Sequence, residues 1–242
     1  MPRFFVEEKP QGRVFLGGEE GRHGAKALRL RPGEEVTLCD GCGQDYLCLV
    51  EEVQREGLWL DVRETRPSLG EPRTQVTVCQ CWPKGDKLET VTQKAVELGA
   101  AEIWPLFSSR CVARPDPQAA GKKAARLQKI AKEAAQQSGR GRVPQVLAPA
   151  SLEEALGAAA AQGEILFCYE KGTGSLKEAL AQCGERVFLF VGPEGGFAPE
   201  EAELAQSLGG KLLSLGRRIL RTETAPLAAL SAIFYEKGDM EL

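Results

Sequence analysis

The chain has 242 residues, 43% of them hydrophobic and 27% charged, with a formal net charge of −3. That is enough apolar material for the core of one large domain or two small ones, and it excludes a chain coated throughout in positive charge. No window nears the roughly eighteen uninterrupted apolar residues of a membrane span, and the opening MPRFFVEEKPQG lacks an apolar run with a cleavage site, so a cytoplasmic protein without a membrane partner is expected.

From the N-terminus, the first feature is GRHGAKALRLRPG, residues 21–33, with four Lys or Arg and no acid. Short extended runs follow: VTLCD, an Asp40-Gly41 turn, DYLCLVEEV and LWLDVRE. Val36 and Leu38, then Tyr46, Cys48 and Val50, then Leu58, Leu60 and Val62 keep a period of two, as half-buried antiparallel strands do, and Asp-Gly signals a short hairpin loop. A small β-barrel over residues 1–68 is expected. Cys39 and Cys42 form a single C-x-x-C with no second ligand pair, and the only histidine, His23, lies sixteen residues upstream, so no metal site is expected. The remaining cysteines fall mostly in strand-like runs, where reduced thiols serve as small apolar residues.

RPSLGEPR, residues 66–73, concentrates Pro and Gly where the pattern changes, and a second domain is expected over 73–242. From there strand and helix periods alternate: TQVTVCQC, KLETVTQKAVELG, AEIWPLF, KKAARLQKIAKEAAQQ, EILFCY, SLKEALAQCG, RVFLFV, PEEAELAQSLG, KLLSL and TAPLAALSAIFYEKG. Leu88, Val91, Ala95 and Leu98 form one helical stripe closed by Gly99; Leu127, Ile130, Ala131 and Ala134 form another. Alternation of this kind predicts a mainly parallel sheet covered on both faces, with ligands beyond the carboxyl ends of its strands. Residues 121–142 carry seven Lys or Arg against one Glu, and residues 210–221 four against none. Three basic runs in a mildly acidic chain suggest a polyanionic partner.

Three loops occupy the ligand-binding position of such a sheet: 170–172, Gly192-Pro193-Glu194-Gly195-Gly196, and 215–225. The glycines of the second permit close backbone approach, although the same turn also serves as a plain strand-to-helix connection. It is no phosphate loop, because G-x-G-x-x-G is absent and no Gly-Lys-Ser/Thr closes it. In the third, Thr224 is a candidate N-cap for the helix that follows, with Pro226 in its first turn.

VGPEGGF followed by LGRRILRTETA resembles the SPOUT-class methyltransferases, and specifically the RsmE family, which methylates N3 of a uridine in small-subunit (16S) ribosomal RNA. KGDKLETVTQKAVELGA, PLFSSRCV, KIAKEAAQQSGRGRVP, PRFFV and RHGAKALRLRPGE fall in the family's order, so the resemblance covers nearly the whole chain. It implies an α/β protein in which a PUA-like β-barrel precedes a SPOUT domain with a C-terminal trefoil knot. It also implies a homodimer, S-adenosylmethionine as cofactor, and 16S RNA or the small subunit as partner. By motif, the cofactor would meet Gly192, Pro193, Glu194 and Gly195, then Leu215, Gly216, Ile219, Leu220, Arg221, Thr222 and Ala225, with Tyr169 and Glu170 at the edge. Ala198 departs from the family's Ser or Thr and so removes a helix cap, and Gly24 and Ala27 replace bulkier apolar residues.

Methylation of uracil N3 requires loss of a proton and stabilisation of the resulting anion. Arg221 is the expected charge-stabilising donor, with Glu223 or Glu194 as proton acceptor. For RNA, Arg22, His23, Lys26, Arg29 and Arg31 are expected on the barrel and Lys84, Lys87, Arg110 and Arg140 near the catalytic face. Gln136, Gln137 and Ser138 are suited to a base edge, although the same residues read equally well as a polar helix end. The rival readings are methylation of another RNA nucleotide, a non-catalytic ribosome-assembly factor, and a nucleotide-binding α/β enzyme.

Overall fold

The computed structural model describes residues 1–241, which divide into two compact units. The first comprises Met1–Glu71 and Ala135–Val143; the second comprises Pro72–Ala134 and the chain from Pro144 on.

In the first unit, β1 (Arg3–Phe5), β2 (Arg13–Leu16), β3 (Glu35–Cys39), β4 (Gln44–Gln54) and β5 (Gly57–Pro67) form one sheet in the order β1-β3-β4-β5-β2. Every pairing is antiparallel except β1 with β3. The period-two residues face inward: Val36, Leu38, Tyr46, Cys48, Val50, Leu58 and Leu60 pack with Phe4, Leu16 and Leu30, all buried. The β3–β4 connection is a four-residue loop rather than a two-residue turn, because the Asp40 carboxylate accepts the N–H groups of Cys42 and Gln44 at 2.8 and 3.1 Å. Between β2 and β3, α1 (Gly18–Arg22) runs into a π-helical turn, His23–Ala27, closed by Leu28 N–H donating to the His23 carbonyl at 3.0 Å. Gly24 is buried there, and a Cβ on it would lie 2.7 Å from Leu58 Cδ1. Leu58 thus takes up the space that a bulkier residue at 24 would need.

The second unit holds β6 (Gln75–Cys81), α2 (Lys87–Leu98), β7 (Glu102–Phe107), β8 (Gln145–Val146), β9 (Ala150–Ser151), α4 (Leu152–Ala160), β10 (Glu164–Cys168), α5 (Leu176–Ala181), β11 (Arg186–Val191), α6 (Pro199–Ser207), β12 (Lys211–Leu213) and α7 (Ala225–Glu236). The long α3 (Pro117–Gln137) lies mostly in it. Its sheet is parallel throughout, in the order β12-β10-β11-β6-β7-β8, with β9 also paired to β7. Parallel strands covered on both sides read as near-continuous apolar runs, and VFLFV of β11 is buried along its whole length. One apolar cluster joins Phe167, Phe188 and Phe190 to α4 and α6; the other joins Val78, Leu189 and Val187 to α2 and α7.

The strand order is not sequential. β11 inserts between β10 and β6, and β12 lies outside β10. After β12, residues 214–224 run back until Thr222 bonds the backbone beyond β11, and α7 then packs against α2, β11 and β6. Ala198 gives α6 no side-chain cap, but Glu201 accepts the Ala198 N–H at 2.8 Å and so supplies half of a capping box.

Candidate active site

Cys168 of β10 pairs in register with Val191 of β11 on one side and Leu213 of β12 on the other, so three parallel strands end at one level. Above these ends lies a cavity of about 300 Å³. Its floor is apolar: Val191, Phe197, Leu213, Leu215 and Leu220 line it, and Ile219 borders it with an exposed side chain. Two loops close it. The turn after β11 is fixed by Gly196 N–H donating to the Pro193 carbonyl at 2.9 Å, and the loop after β12 bends at Gly216; both glycines have left-handed φ, +64° and +102°.

A buried polar network holds the two loops together. Thr222 Oγ1 donates to the Gly192 carbonyl at 2.7 Å and accepts from Gln80 Nε2 at 2.9 Å. Gln80 sits on the central strand β6 and also donates to the Cys81 carbonyl at 3.0 Å. Gln80 Nε2 also lies 3.4 Å from the Gly192 carbonyl, so β6 and the two loops meet at one amide, whose Oε1 is buried without a partner among the described residues.

The charged groups come from three segments. Lys87, at the start of α2, lines the cavity with its Nζ 2.8 Å from Glu194 Oε1 and 3.6 Å from Glu223 Oε2. Glu194 Oε1 also accepts the Lys84 N–H at 3.0 Å. Partial burial pushes the Glu194 carboxyl up, but the Lys87 ammonium and the surrounding backbone N–H groups outweigh it, and the group rests below its ordinary value. The hydrogen bond to Glu194 holds Lys87 above its own. Arg218 and Arg221 line the cavity too, with exposed side chains.

A model of the RNA methyltransferase domain matches residues 70–234, and one of the RNA methyltransferase PUA domain matches 16–63. The chain is 35% identical to the ribosomal RNA small subunit methyltransferase E of Bacillus subtilis, over 98% of this chain and 97% of that one. The Mycobacterium tuberculosis protein of the same name is also 35% identical, over 95% and 90%. The crystal structure of the Neisseria gonorrhoeae enzyme of this name, bound to S-adenosyl methionine, superposes with a TM-score of 0.89 at 33% identity, covering 97% of each chain. The chain belongs to the small subunit ribosomal RNA methyltransferase E family.

For a member of this family, the cavity suits an adenosyl ligand: an apolar floor for a ring, main-chain groups on two glycine-bearing loops, and carboxylates that match hydroxyl or cationic groups. Of the residues that the resemblance assigns to cofactor, Tyr169, Glu170, Gly192, Pro193, Glu194, Leu215, Gly216, Ile219, Leu220, Arg221, Thr222 and Ala225 line it. Gly195 does not; its carbonyl faces outward and accepts from Arg110 at 3.0 Å. Glu223 lies behind Lys87 rather than on the wall.

Other expectations are corrected. Thr224 makes no side-chain cap, because its backbone is already helical and does not present the hydroxyl to the first turn. Arg140 is only 3% exposed and forks onto Glu71, at 2.7 and 3.3 Å, so its guanidinium holds residues 140–142 in place instead of facing RNA. Gln136 donates to the Arg3 carbonyl at 2.6 Å and to Glu20 at 3.1 Å, which occupies both its protons. Gln137 is exposed, as are Arg22, His23, Lys26, Arg29, Arg31, Lys84 and Arg110. Lys87, expected at RNA, belongs to the cavity wall. Gln80 is a further residue of the site, and an amide set among the apolar residues of VTVCQC is the sequence signal of its buried polar contact.

Proposed function

We propose that this protein transfers the methyl group of S-adenosylmethionine to N3 of a uridine in 16S ribosomal RNA of the small subunit. The observation that carries this reading is the cavity at the ends of β10, β11 and β12, closed by the two loops that the family motif comprises. When bound, S-adenosylmethionine supplies an electrophilic methyl group. The floor of Val191, Leu215 and Leu220 holds the adenosyl part, and the Thr222–Gln80–Gly192 network keeps the loops at the spacing that it needs.

Uracil N3 loses its proton in the reaction, and the negative charge left on the ring is stabilised by a cation fixed beside it. Arg221 suits that role, because it lines the cavity and its guanidinium is exposed and engaged by no carboxylate among the described residues. Glu194 does not suit the role of proton acceptor: Lys87 and the Lys84 N–H already bind its Oε1 and lower its basicity. Arg22, His23, Lys26, Arg29 and Arg31 would hold the RNA backbone, with Lys84 and Arg110 nearer the reacting base. The protein works as a cytoplasmic homodimer in this reading; sedimentation at micromolar concentration gives one species of twice the chain mass if so.

The test is transfer of labelled methyl to small subunits that lack the modification, followed by mapping of the base. Label on N3 of one uridine is the expected result. Label elsewhere identifies another RNA methyltransferase, and absence of transfer with tight RNA binding identifies an assembly factor. Arg221→Ala lowers the transfer rate by about a hundredfold or more with cofactor affinity nearly retained; a wild-type rate removes Arg221 from the mechanism.

A further inference from the structure

Lys87, Glu194 and Glu223 are brought together from the start of α2, the turn after β11 and the loop before α7. One ammonium faces two carboxylates, so the cluster carries a formal charge of −1. Glu223 Oε2 is buried and has no hydrogen-bond partner among the described residues; the Lys87 ammonium lies 3.6 Å from it. Glu194 and Lys87 each retain about 30% exposure, and both line the cavity. The other charged residues on the wall are Glu170, Arg218 and Arg221, and their side chains are exposed. The excess negative charge is therefore held in one fixed place, next to the glycine turn, while the two arginines lie on the loop after β12.

A fixed, partly desolvated negative charge favours a cation over a neutral molecule of the same shape. Resting on the reading that the cavity takes S-adenosylmethionine, we propose that the Lys87–Glu194–Glu223 cluster makes the site selective for the sulfonium cofactor over its neutral thioether product, S-adenosylhomocysteine. When the methyl group leaves, the electron pair of the S–CH3 bond stays on sulfur, whose positive charge disappears; the proton of the methylated nitrogen goes to solvent. The cluster then faces no cation, and product binding weakens relative to cofactor. Lys87 moderates the effect by offsetting one of the two carboxylate charges.

The experiment is calorimetric binding of S-adenosylmethionine, S-adenosylhomocysteine and the amine analogue sinefungin to the full chain and to Glu194→Gln, Glu223→Gln and Lys87→Met. Wild-type protein is expected to bind the two cationic ligands more tightly than the thioether, with the gap narrowing as salt rises. Each Glu→Gln change lowers the ratio of S-adenosylmethionine to S-adenosylhomocysteine affinity about three- to tenfold, and Lys87→Met raises it. A ratio that stays within twofold of wild type in both Gln variants, or a wild-type gap indifferent to salt, overturns the proposal. If wild-type protein binds none of the three ligands, the cofactor reading itself has failed, and that result is distinct. The wild-type salt series needs no substitution, so the proposal stays open to refutation should a variant fail to fold.

Discussion

At the scale of single residues, the site depends on groups whose charge and hydrogen bonds are already committed. Glu194 has a folded value below the ordinary 4.5 of its carboxyl, so the ion pair contributes fully above that pH and is lost as pH falls through the depressed value. Lys87 is raised above its ordinary 10.5, so its contribution is full below that pH and is lost as pH rises through the raised value. Cofactor affinity, measured by calorimetry, should therefore be flat from about pH 5.5 to 7, below the range in which the ligand's own α-amino group titrates, and fall on the acid side as Glu194 protonates; an acid limb with its midpoint near 7 would point to a different group. The Thr222 hydroxyl is likewise committed. Thr222→Val leaves Gln80 Nε2 without its best acceptor and the Gly192 carbonyl without its 2.7 Å donor, both buried. A loss of about 1–3 kcal/mol in urea unfolding is expected, with weaker cofactor binding beside it. A stability loss with unchanged cofactor affinity would mean that the network supports the sheet and not the loops. None of this partnering could be read from the sequence: glycines at 192, 195 and 196 mark a loop, but which side chain pins it depends on a strand more than a hundred residues away.

At the scale of elements, local pattern and long-range arrangement differ in how far the sequence discloses them. The apolar stripe of Leu88, Val91 and Ala95 is buried along α2, and Gly99 closes the helix with φ +112°, because periodicity and a left-handed cap are local properties. The insertion of β11 between β10 and β6 is non-local: it is decided by which apolar faces fit together, and no run of residues within β11 records it. The same holds for residues 135–143, which follow the basic helix in sequence but form part of the first compact unit. Gly99 joins the two levels. A Cβ there would lie 2.6 Å from Pro72 Cγ and 3.3 Å from the ring of Phe234 on α7, in addition to the left-handed backbone. Gly99→Ala should cost at least the roughly 1–2 kcal/mol of an alanine in that conformation, lowering the thermal midpoint by several degrees; an unchanged midpoint would show that the α2–α7 packing yields easily.

At the scale of the molecule, a net charge of −3 conceals two cationic surfaces. On the first unit, Arg22, His23, Lys26, Arg29 and Arg31 are all exposed around the π-helical turn; on the second, Lys84, Arg110, Arg217, Arg218 and Arg221 are exposed at or near the cavity. Phosphate contacts release counterions, so each cation that truly meets RNA contributes about 0.7 to 0.9 to the slope of log affinity against log salt. Lys26→Ala should weaken binding of a small-subunit RNA fragment and reduce that slope by about this amount. Arg29 has φ +53°, a conformation that Asn tolerates and Ala does not, so Arg29→Asn is the substitution that removes charge without adding backbone strain. Arg140 supplies the contrast. It lies in the basic run 121–142, but its guanidinium is consumed by Glu71, so Arg140→Ala should lower the unfolding midpoint and leave the salt slope where it was. If Arg140→Ala lowers the slope and Lys26→Ala does not, the RNA-binding face has been placed on the wrong surface of the first unit, because clustered charge in a sequence counts toward phosphate binding only where folding leaves it unpaired.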